Sequence, residues 1–159
     1  MFRKFIFEVE IPVEYFDDIY LTHPPRYETD GAVGFDLRAC FDESELTVMP
    51  GDTFRIPSGL GLVLPKYHAG LMIVRSGMST HGGLRIVNQT GVIDSDYRGQ
   101  MSICVGATKP EGCKIVRHER IAQLLIVPTV RARFLPTKDI ANQYPTHRGG
   151  NGFGHTGLR

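Results

Sequence analysis

Glycine and proline interrupt this chain so often that few windows are long enough to hold a helix. Gly59, Gly61, Gly91, Gly99, Gly106 and Gly112 break the long windows between apolar runs, and a glycine costs a helix interior about 1 kcal/mol relative to alanine. What remains is a series of short apolar runs separated by turn chemistry. "FDLRACF" alternates Phe35, Leu37 and Ala39 against Asp36, Arg38 and Cys40, the period of two of a half-buried strand. "MSICVGA" repeats the pattern with Met101, Ile103 and Val105. "MPGD", from Met49 to Asp52, reads as a turn, "TFRIPSGLGLVLP" as the return, and "AGLMIVRS" as a further run closed by Arg75. "FIFEVEI" is strand-like, "LTHPPRYETDGAVG" reads as a loop, and "RIAQLLIVPTVRARF" is a continuous apolar run of the kind shown by a strand buried on both faces. Short strands so spaced predict an all-β sandwich or barrel rather than βαβ units. The one helical candidate is Ser76 to Gly83.

The 159 residues, 42% of them hydrophobic, fit one domain with a real core. From Pro136 the chain turns polar, and "NQYPTHRGGNGFGHTGLR" holds too little apolar surface to fold by itself. The expected division is therefore a core over residues 1–135 and a flexible, glycine-rich arm over residues 136–159. With 18 basic against 17 acidic residues the chain offers no long-range attraction to a polyanion, and no nucleic-acid partner is expected. No segment approaches the roughly 20 apolar residues that span a bilayer, and "MFRKFIFEVEI" makes a poor signal peptide because Glu8 and Glu10 interrupt it. Cys40, Cys104 and Cys113 form no CxxC pair and are odd in number, which argues for small buried side chains in a cytoplasmic or otherwise intracellular compartment and against a disulfide framework or a metal role. The six histidines show no metal-ligand spacing.

Three stretches carry chemistry. In "VRSGMSTHGG", Arg75, Ser76 and Gly77 can aim a guanidinium, a hydroxyl and backbone N–H groups at one anion, with Ser76 as the expected cap of the short helix. Gln123 is an amide inside an apolar run and needs a partner, while Glu119 and Arg120 beside it read as a surface ion pair. In "NQTGVIDSDYRGQ", Asp94 follows the apolar pair Val92 and Ile93, and Asp96 shares its side parity if the segment is extended. Two acids on one face would suit a glycosidase or a metal site, but a carboxylate acting on water against a phosphoanhydride also explains the anion donors. In the arm, Arg148 is a bidentate phosphate donor, Phe153 a stacking platform and Thr156 a hydroxyl donor, set among glycines whose backbone can wrap a ligand, with His155 beside them.

Taken in order, "AVGFDLRA" (Ala32 to Ala39), "RSGMS" (Arg75 to Ser79), "NQTGVIDSDYRG" (Asn88 to Gly99), "ERIAQL" (Glu119 to Leu124) and "RGGNGFGHTG" (Arg148 to Gly157) resemble the five motifs of the trimeric dUTP diphosphatases, or dUTPases. The resemblance spans Tyr27 to Gly157, and five motifs in order are far more specific than any one. It implies a β jelly roll, a homotrimer with three sites at its interfaces, and hydrolysis of dUTP to dUMP and pyrophosphate. By the same resemblance Asp94 activates the water that attacks the α-phosphate. Tyr97 packs on the deoxyribose, and Asn88 with the hairpin backbone at Gly91, Val92 and Ile93 reads the uracil. Arg75, Ser76, Gly77 and Gln123 hold phosphates. Asp36 supports the site through a water near Mg²⁺ or by holding an arginine, and Arg148, Phe153, Gly154, His155 and Thr156 close the arm over the ligand. The Mg²⁺ cofactor is carried by the triphosphate and waters. The chain departs from the pattern at Asn151 and His118, where glycine is usual, and at Val74, which replaces the common proline or glycine. Two alternatives are a dCTP deaminase, which shares the fold but expects an RSS-type motif where Gly77 stands here, and a catalytically idle jelly roll that senses nucleotide.

Overall fold

The computed structural model describes residues 8–151. Phe153, Gly154, His155 and Thr156, and Phe5 to Phe7 of the strand-like opening run, lie outside the described residues. The part of that run inside them, Glu8 to Ile11, is irregular.

Strands dominate. The first half of the chain carries β1 (Val13–Tyr15), α1 (Ile19–Thr22), β2 (Gly34–Arg38), β3 (Glu45–Val48), β4 (Phe54–Pro57), β5 (Leu60–Leu62) and β6 (His68–Val74). The second carries α2 (Ser76–Thr80), β7 (Leu84–Ile86), β8 (Gly91–Ile93), β9 (Ser102–Ala107), β10 (Cys113–Val116), β11 (Arg120–Pro128) and α3 (Ile140–Gln143). α2 is the expected helix, shorter than read; α1 and α3 are single turns that local sequence did not announce. All strand pairs are antiparallel, in the sheet orders β2-β11-β6-β8, β4-β9-β7, β3-β10 and β1-β5. This is a β jelly roll, and no helix of the described residues is long and apolar enough to cross a membrane.

Period-two alternation decides which side chains enter the core. Phe35, Leu37 and Ala39 point in from β2 and its end, and Met101, Ile103 and Val105 from β9 and its start. Fully burying each larger apolar side chain contributes about 1.5–3 kcal/mol. These residues join Ile56, Leu60, Leu84, Ile86, Ile115, Ile121 and Leu124 in one contiguous core. Cys40 breaks the expected alternation. The strand ends at Arg38, so parity no longer applies two residues later, and the thiol turns inward to donate to the Ser58 carbonyl at 3.4 Å.

β11 is a central strand, hydrogen-bonded to β2 on one side and β6 on the other. It is not buried on both faces within this chain: Ile121, Ala122 and Leu124 are buried, but Gln123, Leu125, Ile126 and Val127 are only half-buried. The regular strand stops at Pro128, earlier than the apolar run suggests, and Thr129 makes the last backbone bond to the body, its N–H donating to Tyr67 O at 2.7 Å. From there every described residue to Asn151 is exposed, including Val130, Phe134, Leu135, Ile140 and Tyr144.

Candidate active site

Two clusters hold the predicted residues of the core, and the fold sets them apart. The first forms where β2, β11 and the end of β6 meet. Register places Gln123 opposite Asp36 on one side and Ile73 on the other, so the chain delivers Arg75 to the same end of the sheet. Asp36, with a side chain only 10% exposed, accepts from Arg75 Nε through Oδ1 at 3.0 Å and from Arg120 Nη1 through Oδ2 at 3.0 Å. Gln123 Nε2 lies 3.5 Å from Asp36 Oδ1, and Arg75 Nη1 donates to the Arg120 carbonyl at 3.3 Å. Asp36 is therefore a bridge between two guanidiniums. Of the two roles the sequence left open, the observed contacts are those of a carboxylate holding arginines.

Arg120 does not form the expected pair with Glu119. A bulge between Arg120 and Ala122 in the β2–β11 register turns Arg120 toward Asp36 and toward Glu28 Oε1 at 3.1 Å. Glu119 instead accepts from the Val116 N–H at 3.0 Å. Sequence reading missed Arg120 and Glu28 as members of this cluster; the signal available was an arginine opening the apolar run "ERIAQLL", and for Glu28 there was none. Ser76 and Gly77 extend the cluster into solvent on the first turn of α2. The cap residue is Arg75, with no side-chain cap bond, so Ser76 stands one place inside the helix and its hydroxyl is exposed.

The second cluster grows from β8. β7 belongs to one sheet and β8 to another, so the turn Val87–Thr90 carries the chain from sheet to sheet. Gln89 takes the left-handed conformation at φ 62° to make that corner. Asn88 is exposed on it, Gly91 is buried, Val92 is exposed and Ile93 half-buried. After Ile93 the chain turns at once, with Tyr97 N donating to Asp94 O at 3.2 Å. Asp94 and Asp96 consequently do not share a strand face by parity, because the segment is a turn rather than extended. Both nevertheless line one open groove with Lys66, Tyr67, His68, Thr129 and Arg131. The Tyr97 hydroxyl donates to Gln100 O at 2.8 Å, and its ring lies so close over Gly99 that a Cβ there would sit 2.6 Å from the hydroxyl oxygen.

β6 connects the two clusters and also separates them. Gly91 faces Met72 and Ile93 faces Gly70, so the chain leaves β8 for Asp94 toward the His68 end, while Arg75 follows Val74 at the other end. Five strand residues at about 3.3 Å each put roughly 15–20 Å between the carboxylate and the guanidinium end. No single small ligand bridges that within one chain. Arg148 is exposed beyond both, its Nε donating to Asn151 O at 2.8 Å. Asn151 is not in the left-handed conformation; Gly149 is, at φ 57°.

Comparison with known proteins bears on the same residues. The sequence model of the dUTPase family matches residues 22–157. A deoxyuridine 5'-triphosphate nucleotidohydrolase of Anaeromyxobacter sp. (strain Fw109-5) is 44% identical over 133 residues, covering 84% of this chain and 86% of that one. Among solved structures, the Staphylococcus bacteriophage 80alpha dUTPase with dUPNHPP superposes with a TM-score of 0.80 at 22% identity, covering 94% of this chain and 99% of that one. A mutant dUTPase from phage phi11 of S. aureus, described with a coordinated structural Mg(II) ion, gives 0.70 at 18% identity over 84% of this chain and 99% of that one. At such identities the structural likeness shows the fold alone.

Proposed function

Since the chain belongs to the dUTPase family, we propose that Asp94 of one copy and the Asp36, Arg75, Arg120 and Gln123 cluster of another converge on one dUTP in a homotrimer. The protein hydrolyses dUTP. The observation that carries the composite site is the placement of the two clusters at opposite ends of β6. The half-buried outer face of β11 and the exposed apolar residues from Val130 to Tyr144 support assembly, because a lone chain leaves that surface in water.

In this reading Asp94 accepts a proton from water as the water oxygen bonds to the α-phosphorus, and the bond to the bridging oxygen breaks to release pyrophosphate and dUMP. A positioned general base contributes about 10²- to 10⁴-fold. Arg75, Ser76, Gly77 and Gln123 hold phosphate oxygens, with Asp36 fixing the Arg75 guanidinium in place. Tyr97 stands against the deoxyribose, and Asn88 with the backbone of Gly91, Val92 and Ile93 meets the uracil. Residues 1–135 act as the catalytic core and residues 136–159 as the arm, with Arg148, Phe153, Gly154, His155 and Thr156 closing over the ligand. The described residues fit a Mg²⁺ ion held by triphosphate oxygens and water, since both Asp36 oxygens are taken by arginines. Bound there, the ion would offset the negative charge of the triphosphate. The free thiols of Cys40, Cys104 and Cys113 suit a cytoplasmic or otherwise intracellular, reducing compartment.

Complementation tests the arrangement. Asp94→Asn chains and Arg75→Ala chains, each nearly inactive in pyrophosphate release from dUTP, are mixed under conditions of subunit exchange. A site that takes its base from one copy and its cations from another is restored in mixed assemblies. Heterotrimers confirmed by mass that recover no activity would refute it, as would an Asp94→Asn enzyme with wild-type turnover.

A further inference from the structure

Outside both clusters the fold brings together three side chains whose sequence positions gave no hint of a meeting. Asp17 lies in the bend after β1, Cys40 just beyond β2, and His118 in the turn between β10 and β11. One donor atom from each lies within 4.8 Å of the others, the only such group among the described residues. His118 Nε2 stands 3.1 Å from Asp17 Oδ1 and 3.2 Å from Oδ2. We propose that Asp17, Cys40 and His118 bind a borderline-soft divalent cation of the Zn²⁺ class.

The donor set selects the metal. Thiolate, imidazole and carboxylate together suit Zn²⁺, whereas Mg²⁺ prefers oxygen and water. Bonds of about 2.0–2.3 Å in a tetrahedral site put donor atoms about 3.3–3.8 Å apart, so donors that lie within 4.8 Å of one another close by at most about 1–1.5 Å on binding. Thiolate and carboxylate also balance the dication, leaving a neutral centre. The cluster is buried on the Cys40 side and half-exposed on the other, with the Cys40 residue 7% exposed and the His118 side chain 29%, so a fourth ligand would come from solvent. Gly59 closes the inner wall so tightly that a Cβ on it would lie 2.6 Å from Cys40 Sγ and 2.8 Å from Asp17 Cβ.

His118 is held where a side chain seldom goes. Its backbone is left-handed, at φ 65°, and is pinned on both sides: its N–H donates to Ala39 O at 2.7 Å and its carbonyl accepts from Arg38 Nη1 at 2.8 Å. Glycine would adopt that conformation without strain, so the imidazole is placed at a conformational cost. Its Nε2 faces a carboxylate at 3.1 Å and receives Arg117 Nε at 3.3 Å. In the metal-free protein a proton on Nε2 bridges it to Asp17, and a cation bonded to both groups would take that proton's place. Arg117 is exposed and also reaches Asp42 O at 3.4 Å, so it is free to swing away from an incoming ion. Burial, with Asp17 beside it, pushes the Cys40 thiol up to about 12, so metal binding at neutral pH releases the thiol proton.

The test uses the full chain freed of metal by a chelator and titrated with Co²⁺ alone, then Zn²⁺ alone. Expected are one Co²⁺ per chain with a thiolate charge-transfer band, displacement by Zn²⁺ but not by Mg²⁺, and a higher Tm with Zn²⁺. The band is lost in Cys40→Ser and kept in Cys104→Ser. His118→Gly, which suits the left-handed backbone and so keeps the fold, binds at least tenfold more weakly. No thiolate band in the wild type, a band that survives Cys40→Ser, or unchanged affinity in His118→Gly would each overturn the site and leave a proton as the bridge between His118 and Asp17.

Discussion

Replacing Asp36 by asparagine isolates the bridge between the two arginines. The change keeps the shape of the side chain and one carbonyl acceptor but removes the charge that faces Arg75 and Arg120 at 3.0 Å each. Hydrogen bonds to charged groups contribute about 1.5–3 kcal/mol each. The two arginine side chains are 32% and 38% exposed, so solvent screens part of the interaction, and a value below that range, about 1–1.5 kcal/mol per contact, applies. The two guanidiniums, relieved of the shared anion, also repel. A loss of about 2–3 kcal/mol follows, which lowers Tm by about 4–12 °C for a domain of this size. Catalysis suffers separately. If Arg75 is a phosphate donor, releasing it from Asp36 costs positioning, and kcat/KM for dUTP falls by about 10- to 100-fold. Calorimetry and pyrophosphate release at saturating and subsaturating dUTP measure both. An Asp36→Asn enzyme with wild-type Tm and kcat/KM would refute the bridging role; one that loses stability but keeps kcat/KM would confine Asp36 to structure.

Gly59→Ala should destabilise by about 2–4 kcal/mol, since φ is +69° and the new Cβ meets Cys40, Asp17 and the Tyr20 ring within 3.1 Å; urea unfolding measures it, and an effect under half a kcal/mol would discredit the packing there. In chelator, His118→Gly should be about 1 kcal/mol more stable than His118→Ala, because only the glycine adopts φ 65° freely. Equal midpoints for the two variants would show that the turn relaxes. Burial pushes both the Cys40 and Cys113 thiols up, so in the folded, metal-free protein at pH 8 neither forms thiolate readily. Iodoacetamide should label them only on unfolding, and prompt labelling of either under native conditions would contradict their burial.

The strands that sequence reading placed are those whose alternation depends on local chain geometry alone. Phe35, Leu37 and Ala39 obey it along β2 and its end, and Met101, Ile103 and Val105 along β9 and its start. The reading failed where the backbone leaves the extended form: at Cys40, past the end of β2; at Asp96, inside the turn closed by Tyr97 and Asp94; and at Arg120, next to a bulge. Three of the motifs supply Asp36, Arg75 and Gln123, which the fold brings into contact, yet nothing in the spacing shows that Asp94 lies at the far end of the strand leading to Arg75. That distance is a property of the β6–β8 pairing. Nor could spacing reveal Asp17, Cys40 and His118 as neighbours, since the elements that carry them meet only through tertiary packing.

In the composite site proposed above, the distance along β6 also governs what a faulty copy does to its companions. A chain that lacks the base still lends a sound cationic end to its neighbour, so each such chain silences one site and no more. When half the chains in a mixed population lack only Asp94, about half of the sites should survive; when half lack both ends, random assembly leaves about a quarter. A defect confined to one end would then lower activity in proportion to its share of the chains, and one that damages both ends would lower it more steeply. The severity of a defect in the cell would follow from which ends of one strand it touches, as well as from how badly it harms either.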